Sequence, residues 1–124
     1  HDRALELFEQ IKYFKLYVAW PVTYETLRTR CVKSKSSVLK FEKFLRNMQI
    51  EYLDDSKYRE DALRQTIKGA IAIRSRPISM VDMILRYILE QLPHINAMVT
   101  FNVGDFQDVC RRKNIKIIKI YPNL

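Results

Sequence analysis

The chain has 124 residues, 48% of them apolar, with only 2 glycines and a formal net charge of +8. This length is enough for one domain with a real core, and the composition excludes a disordered, fibrous or low-complexity chain. No apolar run reaches membrane-spanning length and no charged-then-apolar leader opens the sequence, so the expectation is a cytoplasmic protein with no membrane partner.

The excess of Lys and Arg favours a polyanionic partner: nucleic acid first, an acidic protein second, an anionic membrane surface third. A solvated basic surface is the plainer alternative. The two cysteines, Cys31 and Cys110, lie far apart without metal-ligand spacing and read as buried reduced thiols.

Ala4, Leu5, Leu7, Phe8 and Ile11 space a first helix over about residues 2–13. Residues 16–20 read as a strand stopped by Pro21. Thr23 is placed to cap the next helix, which carries Glu25, Leu27, Cys31 and Val32. The stretch 33–37 breaks the pattern. Val38, Phe41, Phe44 and Leu45 then mark a helix, and Ile50-Glu51-Tyr52-Leu53 alternates as a short strand. Ser56 opens a helix with Tyr58, Ala62, Leu63, Ile67, Ala70 and Ile71 inward. Arg74-Ser75-Arg76-Pro77 is a basic loop. Ser79 caps a helix in which Met80, Val81, Ile84, Leu85, Ile88 and Leu89 recur at helical spacing, with Asp82 as in a capping box. Pro93 ends it. Residues 97–101 form a buried strand, Asn102, Gly104 and Asp105 a turn, and a helix follows from Phe106. Residues 115–120 are the last strand. Strands alternating with helices call for a single-domain α/β fold with a parallel sheet covered on both faces.

Glycine-rich phosphate loops and paired zinc cysteines are absent, and His1 and His94 are isolated. What remains is acidic. Glu25 follows one strand, Asp82 opens a helix, and Asp105 lies just past another strand, where open α/β sheets carry their sites. Carboxylates gathered there repel unless a cation holds them, and hard oxygen ligands select Mg²⁺ or Mn²⁺. Each has a plainer reading. Asp82 and Asp105 serve as helix-capping acids, and Glu25 as an exposed helical glutamate.

In order and spacing these pieces resemble the PIN-domain family, metal-dependent ribonucleases that include toxins of toxin–antitoxin pairs. Val22-Thr23-Tyr24-Glu25 resembles the second motif, residues Ile78 to Ile84 the third, and residues Met98 to Phe106 the fourth. The family begins with a central strand ending in a catalytic aspartate. No apolar run precedes Asp2 to supply it, and the expectation is a lost first strand rather than a degenerate member.

The resemblance implies a three-layer α/β sandwich with a parallel sheet and a Mg²⁺- or Mn²⁺-dependent endoribonuclease. It implies that Asp82 and Asp105 carry the metal and that Glu25 binds it or orients the attacking water. Thr100 and Asn102 would shape the loop. Arg74, Arg76, Arg111 and Arg112 would hold the RNA backbone. The implied partners are RNA, an antitoxin protein and a second copy of the chain. The alternative is a non-catalytic PIN-like module binding nucleic acid or an acidic protein. No stacking motif stands out in the sequence, so phosphate contacts are expected to dominate RNA binding.

Overall fold

In the computed structural model, which describes residues 13–28, 33–72, 77–100 and 102–119, each strand runs parallel to its partner. The helix expected over residues 2–13 lies outside the described residues, as do Cys31, Arg74 and Arg76. The chain divides into two compact units, the first ending at Asp54 and the second beginning at Asp55.

In the first unit the β-branched and aromatic residues before Pro21 extend as β1 (Leu16–Ala19). Helix α1 (Trp20–Arg28) follows without a loop. This moves the helix start three residues ahead of Thr23. Pro21 opens the helix as well as ending the strand, because its fixed φ suits a first turn and its missing N–H has no intrahelical partner there. Thr23 therefore lies inside the helix, where its hydroxyl donates to the Trp20 carbonyl at 2.6 Å. Helix α2 (Lys35–Asn47) is capped by Ser34, whose hydroxyl accepts the Ser37 N–H at 3.3 Å. Strand β2 (Ile50–Leu53) pairs with β1, setting Val18 opposite Tyr52. Ala19, Thr23 and Met48 are the buried side chains among the described residues of this unit.

The second unit opens with a single 3-10 turn (Ser56–Tyr58) and α3 (Arg59–Ala72). Buried Asp55 accepts two hydrogen bonds from the Arg59 guanidinium, at 2.9 and 3.0 Å. The inward face expected of α3 is corrected. Ala62 is buried, but Leu63, Ile67 and Ile71 are exposed, and so is Ala70. Contact runs through Ala62 and through Tyr58, whose ring stacks on Tyr87. A stripe at four-residue steps from Leu63 then turns to solvent.

Helix α4 (Met80–Gln91), strand β3 (Ala97–Thr100), helix α5 (Val103–Lys113) and strand β4 (Lys116–Lys119) complete the unit. Leu89, Phe106, Val109, Cys110 and Ile115 form its core, with Leu85, Ile95, Met98 and Ile117 packed against them. Met98 and Ile117 are register partners, so one face of the β3–β4 pair meets this cluster. Helix α5 ends at Asn114 in the left-handed region, φ 56°, where its N–H reaches the Cys110 and Arg111 carbonyls.

The fold is mixed α/β with parallel strands, as expected, but the strands pair two and two: β1 with β2, and β3 with β4. The strand before Pro21 and the strand before Asn102 are thus not ladder partners. Hydrophobic patterning marks a segment as a strand but leaves its neighbour unspecified. Among the described residues no helix is long and apolar enough to cross a membrane.

Candidate functional site

Asp82 stands in the first turn of α4, half-buried. Its backbone N–H donates to the Ser79 hydroxyl at 3.2 Å, so Ser79 caps the helix. The Asp82 carboxylate accepts the Asn102 side-chain amide at 3.4 Å, a contact spanning 20 residues of sequence.

Asn102 is the hinge of the site. It occupies the N-cap position of α5, yet its side chain makes no capping bond. Its backbone N–H donates to the Thr100 hydroxyl at 3.0 Å, fixing the turn that leaves β3. Its carbonyl accepts the Asp105 N–H at 3.0 Å. Asp105 therefore lies in the first turn of α5, and the plainer alternative of an N-cap before Phe106 is corrected. The helix begins earlier because Asn102 already fills the cap position. An acid in the first turn still complements the positive end of the helix. Thr100, Asn102, Asp82 and the backbone of Asp105 thus form one hydrogen-bonded group at the C-terminal end of β3.

Arg86 lies one helical turn beyond Asp82. Its Nη1 donates to the Asp105 carbonyl at 2.7 Å and to Asp108 Oδ1 at 2.7 Å, while Nη2 donates to Asp108 Oδ2 at 2.7 Å. This fork ties α4 to α5 just behind the site. It holds the Asp108 carboxyl down at about 2 through the hydrogen bonds and charge of Arg86, which work against partial desolvation. The Arg86 guanidinium is raised in turn, chiefly by the Asp108 hydrogen bonds. Sequence reading passed over Arg86. The available signal was a lone cation between Leu85 and Tyr87 in an apolar helical segment. Deeper in α5, burial pushes the Cys110 thiol up, as suits a reduced core cysteine.

Glu25 is exposed in the second turn of α1 and belongs to the first unit, whereas Asp82 and Asp105 belong to the second. Among the proposed RNA contacts, Arg111 is exposed and Arg112 pairs with Glu90. Arg74 and Arg76 lie outside the described residues.

Among the described residues no group of three or more His, Cys, Asp or Glu side chains is placed to hold a metal ion. Asp82 and Asp105 nevertheless carry hard carboxylate oxygens, the donor type that suits Mg²⁺ or Mn²⁺. Mg²⁺ commonly takes one or two protein carboxylates, with water and phosphate completing its shell. In donor type alone, the two carboxylates match that requirement. A cavity of about 300 Å³ in the same unit is lined by Met83, Arg86, Tyr87 and Glu90 of α4 together with Gln65, Ile78 and Val109. Neither Asp82 nor Asp105 lines it.

Comparison with family models, with curated proteins and with solved structures finds no match to this chain.

Proposed function

We propose that the chain acts as a Mg²⁺- or Mn²⁺-dependent endoribonuclease of the PIN type, with Asp82 and Asp105 as its metal carboxylates. The observation that carries this reading is the Asn102 junction. One residue at the end of a parallel strand engages the Asp82 side chain and the Asp105 backbone together.

In this reading Asn102 orients the Asp82 carboxylate, and an outer partner of this kind raises the precision of a ligand. Arg86 holds the Asp105 carbonyl, so the first turn of α5 keeps its place against α4. Asp82 and Asp105 would hold the divalent ion, which would supply charge neutralisation at a scissile phosphate and a more acidic water. Glu25 is assigned to this reading by the resemblance of Val22-Thr23-Tyr24-Glu25 and has its own variant in the test.

A second reading, binding of nucleic acid without cleavage, is favoured by the +8 charge, which needs no carboxylates. Cleavage of a single-stranded RNA under single-turnover conditions separates the two. The nuclease reading expects cleavage with Mn²⁺ or Mg²⁺ and none with EDTA. Asp82→Asn should slow it by at least roughly the 100-fold that loss of an outer-shell partner can already cost, and Glu25→Gln should also slow it. Full activity of Asp82→Asn rejects the site. RNA binding with no metal-dependent cleavage leaves the binding reading.

A further inference from the structure

The first unit carries an aromatic array that no motif announces. Trp20 stacks on Tyr52 with ring centroids 4.6 Å apart and planes at 14°, and on Tyr24 at 6.4 Å and 25°. All three are open to solvent: Trp20 by 41%, Tyr24 by 63% and Tyr52 by 37%. Large rings at these exposures forgo the burial that ordinarily accounts for them. Their arrangement is set by the backbone. Tyr52 lies opposite Val18 in the ladder, Trp20 follows β1 on the same alternation as Val18, and Tyr24 lies one turn further along α1.

Helix α1 carries a cation, Arg28, and an exposed acid, Glu25, beside these rings. Trp20, Tyr24 and Arg28 fall at four-residue steps on α1, so the row of rings continues into an exposed guanidinium. Between Glu25 and Glu42 the sequence holds five basic residues and no acidic one. Glu51, the acid beside Tyr52, falls on the opposite face of β2 and is paired with Lys15 at 3.3 Å. The ring surface that the stack leaves open to solvent, beside the Arg28 charge, matches an unpaired base with its phosphate. Aromatic faces accept any base, and cations track the backbone. A duplex keeps its bases stacked on one another and offers no free face.

We infer that Trp20, Tyr24 and Tyr52, flanked by Arg28, form a base-stacking surface for single-stranded RNA. The inference rests on RNA being the partner, as proposed above, and not on cleavage.

Trp20 is the sole tryptophan, so its fluorescence reports from within the array. The full chain is titrated with a short polyadenylate single strand in EDTA, with anisotropy of labelled RNA as a second readout. Trp20 emission should be quenched in step with binding, and a blunt RNA duplex should leave it unchanged. Tyr24→Ala should weaken binding about 10-fold, the scale of one lost base stack. Tyr24→Phe should bind as wild type. Tyr24 is exposed, so circular dichroism should show both variants folded. RNA binding with unaltered Trp20 emission overturns the inference, as does equal quenching by the duplex. So does self-association that shifts Trp20 emission with protein concentration alone. Loss of all RNA binding ends both this inference and the nuclease reading. Quenching without metal-dependent cleavage upholds the surface and ends only the nuclease reading.

Discussion

Arg86 and Asp108 meet edge to edge, with both N···O separations at 2.7 Å, across 22 residues of sequence. The pair locks α4 to α5 in the turn behind Asp105. Its sign with pH follows from the carboxyl. Asp108 is depressed from an ordinary 3.8 to about 2 when folded. The stabilisation is therefore complete above the ordinary value and is lost as pH falls from about 4 toward about 2. The carboxylate is largely exposed, so solvent screening leaves about 1 kcal/mol. Urea unfolding of Asp108→Asn at neutral pH should show that loss, and the difference from wild type should vanish in strong acid. A gap that persists in acid would mean the pair is not its source.

Asn102→Ala removes the amide that meets Asp82 and leaves the backbone bonds of the turn in place. Asn102 is exposed, so little stability should be lost. If the nuclease reading holds, cleavage should fall by about 10- to 100-fold, with a higher Mn²⁺ requirement. A Mn²⁺ titration of cleavage rate checks this, and an unchanged curve would show that Asn102 does not orient Asp82.

RNA affinity should fall linearly on a log–log plot against salt, whatever the chemistry that follows binding. Arg111→Gln should lower the slope by about one phosphate contact. Arg112→Gln should change it less, because that guanidinium is engaged with Glu90. Equal slopes for wild type and Arg111→Gln would remove Arg111 from the interface.

Phe106 is 1% exposed at the centre of the second unit's core. Phe106→Ala should cost about 3–5 kcal/mol, through lost transfer energy and the cavity left behind. Thermal unfolding followed by circular dichroism measures the shift. Cys110 packs beside Phe106, and its raised thiol should resist alkylation until unfolding, as read by peptide mapping.

Much of the local structure was legible in the residues alone. Short β-branched and aromatic runs bounded by Pro, Asn and Asp marked the four strands among the described residues to within a residue or so. The Ser79 hydroxyl three residues before Asp82 marked the start of α4, because a cap is a contact within one turn. The limits were equally local. Trp20 entered a helix instead of ending a strand, since Pro21 serves both and its neighbours decide. The strands divided into two pairs because ladder bonds join segments far apart in sequence, and no period in the chain names the partner. The contacts that define the candidate site, Asn102 to Asp82 and Arg86 to Asp108, span 20 and 22 residues. The stack of Trp20 on Tyr52 crosses from α1 to β2. Residue type and spacing determined which groups were available to meet. Chain folding alone decided which of them did, because side-chain geometry across elements is set by packing and not by sequence neighbours.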